Sequence, residues 1–303
     1  MKRVLLTGAT GFIGRHCLPL LVERGYEVHA VSSRTTPADQ PNLYWHRADM
    51  LDSGQVGAVI DDIKPMYLLH FSWYAVLGKF WTSPDNFRWV QASLELLQKF
   101  AREGGRRAVM AGTCAEYDWR YGFCSETVTP LFPTTLYGIC KHSLQLMLGS
   151  FSKHMGLSAA WGRIFFLFGP HEHPDRLVAY VIRSLLRGEP ARCSHGNQIR
   201  DFLYVQDVAE AFVALLESTV SGPVNIASGK PVALRDVINT IAKIQNRPDL
   251  IELGIMPTRE DEPQLLLADV RRLREEVGWK PKYDLETALR KTIKWWSQRS
   301  EVA

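Results

Sequence analysis

The sequence predicts an α/β fold in which a doubly wound parallel sheet is followed by a smaller, interwoven C-terminal α/β lobe. Short apolar runs alternate with amphipathic stretches through the first half, a glycine-rich turn follows the first apolar run, and the second half is less regular. Strands separated by helical segments favour a parallel sheet with helices on both faces.

The predicted elements follow from the spacing of apolar residues. We expect strands over residues 4–7, 27–32, 44–48, 66–71 and 107–111 and within 157–168, and helices over about 12–24, 53–62, 84–103 and 135–155. In the second half we expect helices over 175–187, 207–217, 234–245 and 285–298, with a short strand over 224–227. Asp207 is the expected N-cap of its helix.

The predicted domains share the chain unevenly. Residues 1–165 form the dinucleotide-binding domain, to which segments of about 201–228 return. Residues 166–303 form mainly the substrate-binding lobe. Neither an internal repeat nor a low-complexity linker separates the two, so we expect them to be interwoven.

Composition narrows the class of protein. The chain has 303 residues, 46% of them hydrophobic and 22% charged, with a formal net charge of +4, which is typical of a globular protein. Interspersed charges argue against a nucleic-acid-binding face.

The five cysteines are odd in number and lack CxxC spacing, so we expect neither a disulfide framework nor a metal site. A strand near residue 2 leaves no room for a signal peptide, and no apolar run is long enough for a membrane span. We expect a cytoplasmic protein.

The glycine-rich turn is the most informative motif. The run Val4-Leu5-Leu6 is followed by Thr7-Gly8-Ala9-Thr10-Gly11-Phe12-Ile13-Gly14. A strand, a tight turn and a helix start in this order present backbone N–H groups to a pyrophosphate, as in a Rossmann-like fold. The spacing is GxxGxxG, and the alternative is a βα turn without a ligand. We expect Gly8, Thr10, Gly11, Phe12 and Ile13 to bind a dinucleotide.

A second motif supplies candidate catalytic groups. Tyr137 and Lys141 stand four residues apart on a predicted helix, so they share a face. A nearby ammonium would lower the pKa of the phenol, and the lysine could also hold a ribose. Thr113 follows the fifth predicted strand, at the edge where open α/β sheets bind ligands. The alternatives are a surface pair on a helix and an ordinary capping threonine.

Together these motifs resemble the extended short-chain dehydrogenase/reductases, in particular the NAD-dependent epimerase/dehydratase group that acts on nucleotide sugars. The resemblance runs nearly end to end and is closest in pattern to nucleotide-sugar 4-ketoreductases. Besides the motifs above, it rests on Ala48-Asp49-Met50-Leu51-Asp52, Phe168-Gly169-Pro170, Arg200-Asp201-Phe202-Leu203-Tyr204-Val205-Gln206-Asp207-Val208 and Gly278-Trp279-Lys280-Pro281.

The resemblance implies roles for individual residues. Tyr137 acts as acid and base, Lys141 assists it, and Thr113 completes the triad. Asp49 meets the adenine, and the cofactor pocket also takes in Met50, Phe71, Tyr137 and Lys141. Arg200 and Arg259 bind the diphosphate of a nucleotide sugar, since guanidinium suits phosphate oxygens. The other expected substrate-binding residues are Trp73, Cys114, Phe166 and Arg176.

The end of the second strand bears on the cofactor. Many relatives carry an acidic residue there, whereas this chain has Val31-Ser32-Ser33-Arg34. Arg34 could meet a 2′-phosphate, with Ser32 and Ser33 beside it. NADP(H) is therefore favoured and NAD(H) stays possible.

The residues after Thr113 bear on the reaction. The dehydratases of this group carry Asp-Glu there, whereas this chain has Cys114-Ala115, neither of which does carboxylate acid/base chemistry. We expect a nucleotide-sugar 4-ketoreductase in which NADPH reduces C4 of a 4-keto-6-deoxyhexose and Tyr137 donates the proton. The alternatives are a 4-epimerase with tightly bound NAD and, in another class, a non-catalytic NADP-binding regulator. The resemblance also implies a homodimer that pairs through the helices near 84–103 and 135–155.

Overall fold

The computed structural model describes residues 2–34, 36–258 and 262–300. The strands are β1 (Lys2–Thr7), β2 (Tyr26–Ser32), β3 (Leu43–Arg47), β4 (Tyr67–His70), β5 (Arg107–Thr113), β6 (Phe123–Cys124), β7 (Ser158–Ile164), β8 (Phe166–Phe168), β9 (Ala191–Arg192), β10 (Ile199–Tyr204), β11 (Gly222–Ile226), β12 (Pro231–Ala233), β13 (Ile251–Glu252) and β14 (Leu265–Ala268). The helices are α1 (Gly14–Glu23), α2 (Ser53–Ile63), α3 (Asp85–Arg102), α4 (Leu136–Met155), α5 (Leu177–Leu186), α6 (Val205–Glu217), α7 (Leu234–Ile244) and α8 (Leu285–Ser300).

The main sheet is parallel and has seven strands, in the order β11-β7-β5-β4-β1-β2-β3. Apolar residues alternate between its faces: Val4 and Leu6 pack in the core beneath α1 and α6, while Leu5 packs beneath α2, α3 and α4. The doubly wound, Rossmann-like architecture that the sequence predicts is therefore confirmed.

The second lobe is built around a five-stranded sheet. Strand β10 pairs with β12, β14 and β8, and β14 pairs with β6. Helices α5, α7 and α8 enclose a third apolar core on this side. Because β6 comes from the first half of the chain, and α6 and β11 return to the main sheet after β10, the chain crosses between the two sheets several times.

The start of α6 differs from the sequence prediction. The helix begins at Val205, so Asp207 lies within its first turn and is not the N-cap. Its buried carboxylate instead accepts backbone hydrogen bonds from Lys282 and Tyr283, at 3.1 Å and 3.2 Å. In the sequence, an aspartate near the start of a helix looks the same whether its carboxylate caps that helix or binds a distant segment.

Every helix in the described ranges is too short or too polar to cross a lipid bilayer.

Candidate active site

The glycine turn between β1 and α1 is shaped by close backbone contacts. Gly8 has a φ of +69°, and a Cβ there would lie 2.9 Å from the backbone nitrogen of Ser72. A Cβ on Gly14 would lie 2.2 Å from the carbonyl oxygen of Gly8. Only glycine allows the helix to start this close to the strand. Thr10 and Gly11 are exposed beside this turn, and Phe12 and Ile13 are half-buried against the second lobe.

This turn fits a dinucleotide. Its close packing leaves the first backbone N–H groups of α1 at the carboxyl edge of the sheet, where a pyrophosphate binds in Rossmann-like folds. Phe71, beside it, turns its ring to the core and contacts Phe212 with ring centroids 4.8 Å apart. Its backbone, which packs on Gly8, is therefore the part of Phe71 nearest the turn.

The residues expected around the adenosine lie at the ends of β2 and β3. Ser32 is buried and its hydroxyl accepts a hydrogen bond from the backbone N–H of Arg34 at 3.1 Å, while Ser33 and Arg34 are exposed. Asp49 is exposed and accepts from the backbone N–H of Leu51 at 3.0 Å. Met50 is buried in the core beneath α2 and α3.

Thr113 ends β5 and caps the short 3₁₀ turn Cys114–Glu116. Its hydroxyl oxygen accepts a hydrogen bond from the backbone N–H of Ala115 at 3.2 Å. The side chain of Thr113 also acts on the phenol of Tyr137, whose pKa it lowers. The capping role and a role at the phenol are therefore compatible.

Tyr137 lies in the first turn of α4, whose N-cap is Thr135. Its ring is packed edge-on against Phe80 and Trp81, with centroids 5.0 Å and 5.7 Å away. Burial raises the pKa of the phenol, although the Thr113 hydrogen bond acts in the opposite direction. The expectation of a lowered pKa is wrong for this structure, because desolvation of the phenolate outweighs the charges around it.

Lys141 is buried one helical turn after Tyr137. Its Nζ donates to the carbonyl oxygen of Ala111 at 2.8 Å and lies 3.7 Å from the centroid of the Trp73 ring. Burial lowers the pKa of the ammonium to about 7. The structure thus brings Thr113, Tyr137 and Lys141 together at the carboxyl edge of β5.

An aromatic wall, defined by Trp73, Phe80 and Trp81, flanks the phenol of Tyr137. The buried side chain of Asn86 holds it: its Oδ1 accepts from the indole of Trp73 at 2.8 Å, and its Nδ2 donates to the carbonyl of Phe80 at 2.8 Å. This wall gives the space beside the phenol an apolar side.

Two of the expected substrate residues lie together on the second sheet. The guanidinium of Arg200 is buried, lies 5.3 Å from the ring centroid of Phe166 and is paired with Glu262 at 2.9 Å. Arg259, the second expected phosphate ligand, lies outside the described residues. Glu262 therefore fixes the guanidinium of Arg200 in this structure.

Arg176 and Cys114 both act electrostatically on the phenol of Tyr137. Arg176 precedes α5 and its charge acts to lower the pKa of Tyr137. Cys114 is buried in the core, and burial raises the pKa of its thiol. Such a thiol is suited to packing and has little acid/base use.

Sequence reasoning overlooked Glu116. Its fully buried carboxylate accepts from the backbone N–H of Thr113 at 2.8 Å and pairs with the buried guanidinium of Arg163 at 2.8 Å. The pattern Thr-x-x-Glu of residues 113–116 is a capping-box signature that could have revealed it.

Comparison with known proteins identifies the family. The family model "NAD dependent epimerase/dehydratase family" matches residues 4–227, which is most of the chain and includes the glycine turn and all three catalytic candidates.

The chain belongs to the NAD-dependent epimerase/dehydratase family.

Relatives of this epimerase/dehydratase-family protein are enzymes of the extended short-chain dehydrogenase/reductase type. UDP-glucuronic acid decarboxylase 1 of Xenopus tropicalis is 28% identical to it over 99% of this chain and 73% of its own length. Two solved structures are similar in fold and sequence. A UDP-N-acetylglucosamine 4-epimerase from Methanobrevibacter ruminantium, in complex with UDP-N-acetylmuramic acid, is 25% identical with a TM-score of 0.89, covering 98% of this chain and 99% of that one. MoeE5 in complex with UDP-glucuronic acid and NAD is 28% identical with a TM-score of 0.81, covering 98% and 99%.

These matches confirm the predicted resemblance of this epimerase/dehydratase-family chain to nucleotide-sugar enzymes that depend on a nicotinamide cofactor. These relatives are a decarboxylase and 4-epimerases, whereas the sequence favours a 4-ketoreductase.

Proposed function

We propose that this protein transfers a hydride between a nicotinamide cofactor and C4 of a nucleotide-linked hexose. The observation that carries the proposal is that Thr113, at the carboxyl edge of β5, acts on the phenol of Tyr137, while Lys141, one helical turn after Tyr137, contacts the end of the same strand. This is the edge at which open α/β sheets bind their ligands.

Four side chains have separate roles in the proposed reaction. A bound nicotinamide supplies or accepts the hydride. Tyr137 donates a proton to the C4 oxygen as the alkoxide forms, and Thr113 hydrogen-bonds the same oxygen. Lys141, as an ammonium, stabilises the phenolate left on Tyr137. Arg200, released from Glu262, pairs with the diphosphate of the substrate.

The favoured form of this reaction is NADPH-dependent reduction of a 4-keto-6-deoxyhexose. Two features support it. The end of β2 and the residues after it carry Ser32, Ser33 and exposed Arg34, which suit a 2′-phosphate better than a bare ribose. Cys114 and Ala115 stand where a dehydratase would need carboxylates, and neither does carboxylate acid/base chemistry.

A second candidate is a 4-epimerase that retains NAD, and the family comparisons favour it. The Methanobrevibacter ruminantium relative is a 4-epimerase, and MoeE5 binds NAD. An epimerase needs the same three groups, since the same phenol can take the proton in oxidation and return it in reduction. In either form the enzyme would act in the cytoplasm.

The test begins with the nucleotide that co-purifies with the protein, released by denaturation and identified by mass. The protein is then incubated with a UDP-linked or dTDP-linked 4-keto-6-deoxyhexose plus NADPH, and separately with UDP-glucose, UDP-N-acetylglucosamine and UDP-glucuronic acid. NADPH consumption with the keto sugar supports the reductase. C4 isomerisation without cofactor consumption supports the epimerase.

Tyr137→Phe serves as the matched control because it removes one hydroxyl and keeps the ring. We expect its turnover to fall by roughly 10²–10⁴-fold while the bound nucleotide is retained. Dinucleotide binding with no conversion of any of these sugars by the wild-type protein would favour the non-catalytic regulator and contradict the proposal.

A further inference from the structure

Glu116 is a fully buried carboxylate directly beside the proposed catalytic groups. Its Oε1 accepts two hydrogen bonds of 2.8 Å, from the backbone N–H of Thr113 and from the indole N–H of Trp161. Its Oε2 accepts from the Nε of Arg163 at 2.8 Å. The proposed mechanism gives this carboxylate no role, and its three partners fix its orientation.

The turn that Glu116 closes packs against the start of α4, and it directly follows the strand end that Lys141 contacts. Thr113 caps it, and Ala111, at the strand end just before it, supplies the carbonyl oxygen that Lys141 contacts. The carbonyl oxygen of Ala115 lies so near α4 that a Cβ on Gly138, next to Tyr137, would be 2.5 Å from it. A displacement of this turn would therefore move Thr113 and press on the helix turn that carries Tyr137.

Near its carboxyl end, β5 packs closely against the side chains of Trp161 and Glu116. A Cβ on Gly112 would lie 2.0 Å from the Trp161 indole nitrogen and 2.7 Å from the Glu116 Oε1. Glycine at this position lets the carboxylate approach the backbone of β5. The buried ion pair with Arg163 holds the carboxylate in place, because the two buried charges compensate each other.

We propose that Glu116 is a positioning residue, which through the capping box of residues 113–116 holds the Thr113 hydroxyl in place beside the Tyr137 phenol. The capping box satisfies the Thr113 backbone N–H and fixes the backbone angles of the residue that carries the hydroxyl. Glu116 itself does not touch the substrate; it acts on catalysis through Thr113.

The first test is a kinetic cycle on the full-length protein. Glu116→Gln keeps the size of the side chain but removes its charge, so that a neutral amide faces the guanidinium of Arg163. We expect kcat per cofactor-loaded protomer to fall roughly tenfold to a hundredfold with little change in KM, because small displacements of a catalytic group carry penalties of this size. In a Thr113→Ala background the same substitution has little further effect, because the residue through which it acts is gone.

Asp207→Asn is the matched control, since it also neutralises a buried carboxylate that accepts backbone hydrogen bonds, away from the catalytic groups. We expect it to lower Tm and leave kcat unchanged. If Glu116→Gln fails to fold, Glu116→Leu combined with Arg163→Met removes both buried charges together, and the same loss of kcat is expected. Equal effects of Glu116→Gln with and without the Thr113 hydroxyl would overturn the proposal.

The kinetic readout rests on the proposed function, so a crystal structure of the variant supplies an independent one. We expect the Thr113 hydroxyl and the Tyr137 phenol to lie farther apart in the Glu116 variant than in the wild-type protein, and to keep their wild-type separation in Asp207→Asn. If the wild-type protein converts no nucleotide sugar, the proposed function fails while this comparison still decides the role of Glu116. An unchanged Thr113–Tyr137 separation in the Glu116 variant would overturn the proposal.

Discussion

At the scale of single residues, Lys141 shows how burial and function oppose each other. Its ammonium is almost fully enclosed, with one carbonyl and the face of Trp73 as its contacts. Removal from water disfavours the charged form, which is why its pKa falls to about 7. The proposed reaction uses the ammonium, so catalysis and stability make opposite demands on this side chain.

This opposition predicts a pH-dependent stability difference between the wild-type protein and Lys141→Met. The pKa of Lys141 is lowered from 10.5 to about 7, so between these values the unfolded chain binds more protons and stability rises with pH. The cost of the buried ammonium is complete below about pH 7 and gone above about 10.5. We expect Lys141→Met to raise the free energy of unfolding most at pH 6 and least near pH 10, measured by urea titration. A difference that does not change with pH would contradict it.

At the scale of elements, the β1–α1 turn depends on one close approach between backbone atoms. Gly14 lies so close to the carbonyl oxygen of Gly8 that the Cβ of any larger residue at position 14 would clash with it. By contrast, Gly57 lies within α2, where an added Cβ would meet nothing within 4 Å. Position 14 therefore requires glycine, whereas position 57 has room for a larger side chain.

The two positions predict opposite outcomes for the same substitution. Gly14→Ala forces α1 away from β1, so we expect a lower Tm and loss of bound dinucleotide. Gly57→Ala should stabilise the protein by about 0.5–1 kcal/mol, because alanine favours the helix over the unfolded chain. Thermal unfolding and the nucleotide content of the purified proteins measure both. Retention of the dinucleotide by Gly14→Ala would argue against the turn as its binding site.

At the scale of the whole molecule, helices α3 and α4 pack together and leave apolar side chains in solvent. Phe87 of α3 is 60% exposed, and Leu146 and Ile139 of α4 are 57% and 46% exposed. Large apolar side chains grouped on neighbouring helices are typical of interfaces between protein chains. They support the homodimer that the family resemblance implies.

We expect the protein to be a dimer in solution and Leu146→Glu to shift it towards monomer, because a carboxylate would be buried without a partner. Light scattering coupled to size-exclusion chromatography measures the mass. Val128→Glu is the matched control: Val128 is also exposed (78%) and apolar but lies outside α3 and α4, so this variant should remain dimeric. A wild-type monomer at micromolar concentration would refute the prediction.

The sequence by itself determined the order of the main-sheet strands and of the helices, the glycine turn and the candidate catalytic residue types, because backbone geometry and burial periodicity are encoded within a few neighbouring positions. It did not predict the short strands of the second sheet, such as β10 and β14, which depend on pairing between distant segments. It even placed Tyr137 and Lys141 on one face, since helical spacing is local. Only the tertiary structure decided what surrounds them: Trp73 lies over the ammonium, Glu262 holds Arg200, and Asp207 serves a distant loop where a cap was expected. The pairing of Glu116 with Arg163 joins residues 47 positions apart, and such contacts depend on how strands are ordered in the sheet. Desolvation also arises only from packing, which is why the direction of the Tyr137 pKa could not be deduced from its neighbours in the sequence.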